Sequence, residues 1–175
     1  MTDGNAHPQT IEAETVELVR RDRLRDVARL DLDLDEPRPQ LQAVVEEVAG
    51  TADAPIALIT VLLDEAQAFA AATGLPDWAA ALGGTPVEWA FCRAMLTTGE
   101  AFAVPDLTES PRFKDNPLVR DEGIRSYAGA PLVSARGNVL GGLCVLDVEP
   151  HDFDDTTLDL LRTQAARVVA LVEQH

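Results

Sequence analysis

The segment from Thr85 to Asp147 constrains the fold most, because prolines and glycines divide it into short apolar stretches. It contains, in order, TPVEWAFCRAML, VPDLTESPRFKDNPLV, IRSYAGAPL and GGLCVLD. Apolar stretches of this length, separated by turn residues, are typical of short strands and capped helices. We therefore expect a compact arrangement of such elements around one long irregular connection from Pro105 to Glu122, with almost no residues equipped for catalysis.

Composition places this segment in one soluble domain. A chain of 175 residues is long enough to bury a core without disulfides or metals. The formal net charge is −16, Lys114 is the one lysine and the arginines are scattered, so a nucleic-acid surface is not expected. The longest apolar stretch is too short to span a bilayer, and the N-terminus lacks the order of a signal peptide. We expect a cytoplasmic protein that binds neither nucleic acid nor membrane.

The N-terminal region divides into a tail and a charged helix. Residues 1 to 10 are polar and are predicted to be a disordered tail. Residues 11 to 30 are predicted to form one helix, running from about Glu12 to Leu30, whose thin apolar stripe favours packing on a partner helix over packing in the core. Residues 31 to 175 are assigned to the domain itself.

Apolar patterning predicts the elements of the domain. Strands are expected over Ile56–Leu63, Ala66–Thr73, Ala101–Val104, Ser126–Val133 and Val139–Val148. A helix with apolar residues at Leu41, Val44, Val45 and Val48 is expected to stop at Gly50, and another to begin at Asp154 or Asp155. The order predicts an α+β fold with an antiparallel sheet.

Three sites carry helix-start signals inside the constraining segment. Thr85, Pro86 and Glu88 have the spacing of a capping box, which predicts a helix that ends at Gly99. Ser110 and Asn116 each precede a proline and are expected to cap short helices.

Taken in order, the motifs resemble a GAF domain over about Leu30 to Val172. The resemblance rests on Thr85-Pro86 before Phe91-Cys92, Val104-Pro105-Asp106, Pro111-Arg112-Phe113, Asn116-Pro117-Leu118-Val119, Ile124-Arg125, Tyr127-Ala128-Gly129-Ala130-Pro131-Leu132, and Leu140-Gly141 through Leu143-Cys144-Val145 to Asp147. It implies an antiparallel sheet of five or six strands, with N- and C-terminal helices on one face. It also implies a loop-covered ligand pocket on the other face and a homodimer formed through the terminal helices.

Several ligands of GAF relatives do not fit this sequence. The histidine that many relatives carry two residues after Cys92 is missing, and His7, His151 and His175 lie in tails or loops unsuited to haem. The signature of cyclic-nucleotide binding is absent, and no cysteine between Pro105 and Gly123 could attach a bilin. The two cysteines also occupy the wrong segments for a methionine sulfoxide reductase. We expect no cofactor and no metal.

The candidate pocket residues are aromatic, apolar and charged side chains of the constraining segment. They are Trp89, Phe91, Cys92, Phe102, Asp106, Arg112, Phe113, Leu118, Ile124, Arg125 and Tyr127. The apolar members line a pocket or form plain core. Arg112 and Arg125 either hold a carboxylate- or nitrate-like anion, or pair with acids, Arg112 with Asp106 or Asp115 and Arg125 with Glu122.

The two cysteines allow two interpretations. Cys92 and Cys144 are either small buried hydrophobic residues or a redox pair, and a pair would need α-carbons within roughly 7 Å. No Ser-His-Asp or Cys-His arrangement can be assembled, since no histidine is placed to act as a base.

Three functional hypotheses follow. The first is a non-catalytic sensory or regulatory GAF domain whose unidentified small-molecule ligand orders the Pro105 to Gly123 loops. The change would pass to the terminal helices and to a signalling partner. The second is a ligand-free scaffold for dimerisation or protein interaction, with the pocket filled by Trp89, Phe113 and Tyr127. The third is a thiol-dependent reductase using Cys92.

Overall fold

The structure is a computed structural model that describes residues 8–34, 36 and 38–173. Its helices are α1 (Pro8–Leu18), α2 (Arg21–Ala28), α3 (Pro39–Ala52), α4 (Asp77–Leu82), α5 (Met95–Thr98), α6 (Pro117–Arg120) and α7 (Asp155–Val172). Its strands are β1 (Ile56–Leu62), β2 (Ala66–Thr73), β3 (Gly84–Pro86), β4 (Phe102–Val104), β5 (Ser126–Val133) and β6 (Val139–Asp147). Short 3-10 turns cover Val87–Trp89, Phe91–Ala94 and Leu107–Glu109.

The described strands form one six-stranded sheet in the order β3-β2-β1-β6-β5-β4, with every neighbouring pair antiparallel. β1 lies at the centre, and all seven of its residues are buried. Its sequence IALITVL is apolar on both sides, as expected for a strand covered on both faces. In register, Leu58 lies opposite Ala72 of β2 and Cys144 of β6. The α+β class and the antiparallel GAF-like sheet predicted from the sequence are confirmed.

One face of the sheet carries the main hydrophobic core. Successive strand residues point to opposite faces, so Ala57, Ile59 and Val61 share this side of β1. Helices α3 and α7 cover it with Val44 and Leu161, both fully buried. Helix α7 begins where Asp154 Oδ1 accepts a hydrogen bond from the backbone N–H of Thr157 at 3.0 Å, as the sequence predicted.

The opposite face carries two smaller clusters and the irregular segments. Ile56 and Leu58 of β1 pack there with Phe91, Leu107 and Tyr127, among others. A second cluster joins Leu18 of α1 and Leu62 of β1 to the 3-10 turns and α5. This side of the sheet therefore holds the irregular stretches of the constraining segment, whereas alternate residues of β5 and β6 face the main core.

The N-terminal region differs from the single helix predicted over residues 11 to 30. The chain breaks at Val19 and Arg20 into α1 and α2, and residues 8–10 of the predicted tail already belong to α1. The rest of that tail lies outside the described residues. Helix α1 packs against α5 and the Phe91–Ala94 turn, and α2 contacts β6. α3 and α7 share one face, whereas α1 lies on the other.

A buried arginine fixes α2 to the sheet. Arg23 is 2% exposed, and its guanidinium donates to the carbonyl oxygens of Leu18, Val139 and Leu62 at 2.9, 3.0 and 2.6 Å. Burial lowers the pKa of Arg23 to about 10, because the charged form loses hydration. The guanidinium therefore satisfies carbonyl groups at the end of α1, at the end of β1 and at the start of β6.

A buried aspartate makes the second link. Asp26 is 7% exposed, and its Oδ2 accepts hydrogen bonds from Ser134 Oγ and Asn138 Nδ2, both at 2.7 Å. Despite its burial, these donors lower the pKa of Asp26. Helix α2 therefore belongs to the packed domain through polar contacts that a thin apolar stripe does not reveal.

Several local predictions were wrong for identifiable reasons. The capping box at Thr85 does not form: Thr85 lies in β3, and its hydroxyl donates to the carbonyl of Pro86 at 2.9 Å. Ser110 begins only a turn, whereas Asn116 does cap α6 by accepting from the N–H of Leu118 at 2.9 Å. Helix α3 continues through Gly50 to Ala52 and ends at Asp53, whose φ is +55°.

Candidate functional site

A cavity of about 360 Å³ lies on the sheet face opposite α3 and α7. Its inner end is formed by buried residues, among them Leu58, Cys92 and Tyr127. Its mouth is formed by exposed residues, among them Trp78 and Val148. The full lining is Pro55, Ile56, Leu58, Gln67, Phe69, Gly74, Leu75, Pro76, Trp78, Ala79, Thr85, Phe91, Cys92, Leu118, Glu122, Ile124, Tyr127, Cys144, Leu146 and Val148.

The floor of the cavity consists of alternate side chains of the central strands β1 and β6. Ile56 and Leu58 of β1 point to the cavity side, and β6 contributes Cys144 and Leu146 from the register positions opposite them. All four are buried. Because the central strands are rigidly paired on both sides, this floor is a fixed apolar surface.

Two irregular segments form the walls. One is residues 74–79, the connection that follows β2 and leads into α4. Gly74 opens it with a φ of +80°, and a Cβ there would overlap the carbonyl of Pro55, so only glycine fits. The other wall comes from α6 and the residues after it, through Leu118, Glu122 and Ile124. From the Pro105–Gly123 connection, the sequence-predicted roof, only Leu118 and Glu122 line the cavity.

The polar side chains at the inner end of the cavity form most of their hydrogen bonds with one another. Gln67 Nε2 donates to Thr85 Oγ1 at 2.9 Å, and Cys92 Sγ lies 3.5 Å from Gln67 Oε1. Cys92 Sγ is also 3.4 Å from Thr60 Oγ1, which accepts from the N–H of Gly142 at 3.1 Å. These contacts bind β1, β2, β3 and the Phe91–Ala94 turn together.

Tyr127 is the exception. Its side chain is 1% exposed, and its hydroxyl is buried without a hydrogen-bond partner among the described residues. Its ring lies between Phe91 and Phe102, with centroid distances of 5.3 and 5.1 Å. Burial raises the pKa of Tyr127 well above its ordinary value, so the hydroxyl stays protonated and can donate.

Both thiols of the cavity are protonated at neutral pH. Burial raises the pKa of Cys92 to about 11 and raises that of Cys144 well above its ordinary value. The thiolate is the nucleophilic form, so neither sulfur is activated in this state.

The sequence-predicted residues fall into two groups. Five of them line the cavity: Phe91, Cys92, Leu118, Ile124 and Tyr127. Phe102 and Phe113 instead stack on each other at 6.2 Å as part of the adjoining cluster. Trp89 is half-buried, and its backbone carbonyl accepts from Asn116 Nδ2 at 3.2 Å.

The predicted ion-pair partners of the two arginines were wrong. Arg125 pairs with Asp106, with Nη2 donating to Oδ2 at 2.7 Å and Nε to Oδ1 at 3.1 Å. This guanidinium and the hydroxyl of Thr108 hold the pKa of Asp106 well below its usual range. Arg112 pairs with Glu14 of α1 at 2.5 Å. None of these charged groups lines the cavity.

Sequence reasoning missed the wall of residues 74–79 and the contributions of β2. Trp78 is 36% exposed, and this bulky aromatic in an otherwise alanine-rich stretch was the available signal. Gln67 and Phe69 gave a second, weaker signal. They are two residues apart among the alanines of β2 and therefore lie on the same face of the sheet.

Two further observations concern the described residues. They contain no group of three or more His, Cys, Asp or Glu side chains placed to hold a metal ion. None of their helices has both the length and the apolar character needed to cross a membrane.

Comparisons with solved structures agree with this architecture. A GAF domain of a phosphoenolpyruvate-protein phosphotransferase from Coxiella burnetii superposes with a TM-score of 0.63 at 18% identity, covering 89% of this chain and 92% of that one. A domain assigned to a two-component sensor histidine kinase from Sinorhizobium meliloti gives 0.57 at 22% identity, covering 75% and 88%. At these identities the likeness shows the fold.

Sequence comparison adds a signalling relative. A cyclic di-GMP phosphodiesterase of Pseudomonas aeruginosa is 44% identical over an alignment of 113 residues, and the match covers 62% of this chain and 18% of that protein. The GAF domain family model matches residues 36–172, from before α3 to the last residue of α7. With the six-stranded sheet and its cavity, this match shows that the chain belongs to the GAF domain family.

Proposed function

We propose that this GAF domain is a non-catalytic sensory and regulatory module of signal transduction whose cavity binds a small molecule. The observation that carries the proposal is the preformed cavity of about 360 Å³, with a rigid apolar floor and an open mouth. Cavities of this size and character are the usual small-molecule sites of folded domains. The kinship with a cyclic di-GMP phosphodiesterase supports a regulatory place in such a signalling protein.

A path for the signal leads from the cavity to α1. Phe91 and Cys92 line the cavity, and the next residue, Arg93, lies 3.7 Å from Glu14. Glu14 also binds Arg112, next to the Phe113 ring that packs on Phe91 at 5.4 Å. A ligand that moves Phe91 would therefore act on both arginines that hold α1. Coupling of this kind needs an element that can adopt two conformations with different affinities for the ligand. We propose that the Phe91–Ala94 turn is this element.

The output surface in this proposal is the outer side of α1. Ile11 and Val16 of α1, and Val19 directly after it, are 45, 60 and 50% exposed. We propose that these side chains meet a second copy or a signalling partner, in keeping with the terminal-helix homodimer that the family resemblance implied. A cytoplasmic location belongs to the same proposal.

Thermal denaturation with a metabolite panel tests ligand binding. A ligand at one hundred times its Kd stabilises the folded state by about 2.7 kcal/mol, a shift of several degrees. Leu118→Trp, which fills the cavity from its wall, should remove that shift. Val133→Trp, on the exposed end of β5 at 39% exposure, should retain it. No shift with any ligand of the panel would contradict the proposal.

The scaffold alternative has weaker support. It requires Trp89, Phe113 and Tyr127 to fill the pocket, yet Trp89 and Phe113 do not line the cavity. Its remaining support is the exposed apolar side of α1. Analytical ultracentrifugation of the protein and of Val16→Glu would distinguish the two: a dimer that Val16→Glu dissociates, without any ligand response, favours the scaffold.

The reductase alternative depends on Cys92. Its raised pKa leaves too little thiolate at neutral pH for an efficient nucleophile. Turnover of free methionine sulfoxide that is lost in Cys92→Ser would establish this alternative and overturn the non-catalytic assignment.

A further inference from the structure

We infer that the cavity takes an amphipathic cation, with an apolar body inside the cavity and an ammonium-type group at its mouth, beside Glu122 and Trp78. The inference rests on the proposed function, since it names the chemical class of that ligand. It reverses the expectation from the sequence that Arg112 and Arg125 hold an anion. The polarity of the interior, the charge at the mouth and the cavity volume support it separately.

The interior of the cavity favours an apolar body. Its floor contains Ile56, Leu58 and Leu146, which are buried aliphatic side chains on rigidly paired strands. Among the described residues that line the cavity, none is lysine, arginine or histidine, so the lining offers an anion no counter-charge. A charged group of either sign would lose its hydration at the floor without compensation. The charged part of a ligand therefore stays at the mouth, where water reaches it.

The mouth carries an uncompensated carboxylate. Glu122 is exposed, lies two residues after the end of α6, and is the charged member of the described lining. The nearest arginine before it in the chain, Arg120, pairs with Asp121 at 3.1 Å. The nearest one after it, Arg125, pairs with Asp106 at 2.7 Å. No ion pair to Glu122 forms among the described residues, so its negative charge is available to a cationic ligand.

Trp78 supplies a second group that attracts cations. Its side chain also lines the mouth, where it is 36% exposed. Indole is the aromatic side chain that attracts ammonium groups most strongly, through the negative face of its ring. The formal net charge of −16 adds a long-range attraction that raises the local concentration of cations. The mouth therefore favours a cation over a neutral group, and a neutral group over an anion.

The cavity volume sets the size of the apolar body. An apolar cavity of about 150 Å³ binds benzene. At about 360 Å³ this cavity accommodates a fused bicyclic ring or an aliphatic body of similar volume, with a small charged substituent.

Three matched probes test the inference by isothermal titration calorimetry: 2-naphthylmethylammonium, 2-naphthylmethanol and 2-naphthoate. They share one ring system and carry a cationic, an uncharged polar and an anionic group. An exposed ion pair and an exposed cation–π contact each change affinity only a few-fold, so the ammonium probe should bind about fivefold tighter than the alcohol. It should bind at least tenfold tighter than 2-naphthoate.

Three substitutions locate the preference. Glu122→Gln should reduce the ammonium preference to about twofold, the part that the cation–π contact contributes. Glu65→Gln removes the same charge from another exposed glutamate, in the turn between β1 and β2 and outside the lining, and should preserve the preference. Trp78→Leu keeps an apolar side chain at the mouth and should lower the preference about twofold.

Each other outcome has a defined meaning. Equal or tighter binding of 2-naphthoate overturns the inference, as does an ammonium preference that Glu122→Gln leaves unchanged or that Glu65→Gln also removes. An unchanged preference in Trp78→Leu overturns the part assigned to the tryptophan. Equal binding of all three probes overturns the inference but leaves the proposed small-molecule site standing. If none of the three binds the unaltered protein, the cavity does not accept a molecule of its own size, and the proposed function fails as well.

Discussion

Arg112, in the connection that follows β4, donates to the carboxylate of Glu14 at 2.5 Å, across 98 positions of the chain. Glu14 is 1% exposed, and Arg93 approaches the same carboxylate at 3.7 Å. Two guanidinium groups from different segments therefore compensate one buried negative charge. This arrangement makes α1 part of the domain, because separating it would leave both arginines without their carboxylate.

Glu14→Ala should destabilise the protein strongly. Removing one partner from a buried ion pair costs about 3 kcal/mol, since the remaining charges stay partly desolvated. Urea denaturation measures the loss. Glu17→Ala, which breaks the exposed contact of Glu17 with Arg20, is the matched control and should leave the unfolding midpoint unchanged. Equal effects of the two substitutions would show that the Glu14 cluster does not hold α1.

Two glycine-to-alanine changes should have opposite signs. At Gly129 an added Cβ would overlap the Tyr127 hydroxyl, so the substitution should cost about 1–3 kcal/mol through overpacking. At Gly50, inside α3, nothing lies within 4 Å of the added Cβ, and alanine should stabilise the helix by up to about 1 kcal/mol. Thermal denaturation of both variants checks the signs. An unchanged midpoint for Gly129→Ala would show that the tyrosine ring relaxes freely.

Tyr127→Phe should stabilise the ligand-free protein. The change removes a buried hydroxyl that has no partner among the described residues and keeps the ring in place. A desolvated, unpaired hydroxyl costs about 1–3 kcal/mol, so a gain of about 1 kcal/mol in the free energy of unfolding is expected. Chemical denaturation without added ligand measures it. A loss of stability would mean that the hydroxyl already has a partner, such as an ordered water.

The stability of the protein should fall in acid partly through Asp106. Its pKa is depressed in the folded state, chiefly by the Arg125 hydrogen bonds, relative to about 3.9 in an unfolded chain. The folded state therefore binds fewer protons, and the stabilisation is complete above about pH 5 and is lost as the pH falls below about 4. Urea midpoints measured from pH 6 to pH 2.5 should fall less steeply in Asp106→Asn. Asp159→Asn, in the exposed pair with Arg162, serves as the control, and equal slopes would contradict the prediction.

Both cysteines should resist alkylation in the native state. At a pKa of about 11, Cys92 is about one part in a thousand thiolate at pH 8, against about a quarter for a free thiol. Iodoacetamide labelling followed by mass spectrometry should therefore be at least a hundredfold slower than in urea-unfolded protein. Cys92→Ser and Cys144→Ser identify which thiol reacts. Labelling of native Cys92 at the unfolded rate would indicate an activated thiol and favour the reductase alternative.

The sequence predicted well those elements that depend on residues close together in the chain. The hairpin of β5 and β6, the Asn116 cap and the Asp154 cap all depend on neighbouring residues, and the structure contains them. The family resemblance likewise placed a cavity on the correct face of the sheet. Five of the predicted residues line the cavity, and their binding of a ligand stays a prediction.

The errors arose where distant contacts override local preference. Thr85 has the spacing of a capping box, but pairing of β3 with β2 draws it into the sheet, where it meets Gln67. Arg112 has nearby acids in the sequence, yet it binds Glu14, which local charge patterns cannot reveal. The wall of residues 74–79 was missed because its role depends on its packing over the sheet.

The three buried charges of the N-terminal helices bear on where the cooperative unit of this chain begins. The family match starts at residue 36, whereas Glu14, Arg23 and Asp26 find their partners among residues inside that match. A fragment cut at the family boundary would keep the sheet and the cavity. It would also uncover Leu62 and Met95 and strip two arginines of their counter-ion. We therefore expect the cooperative folding unit of this domain to extend upstream to α1, so that a fragment beginning at residue 36 is less stable than one that keeps α1 and α2.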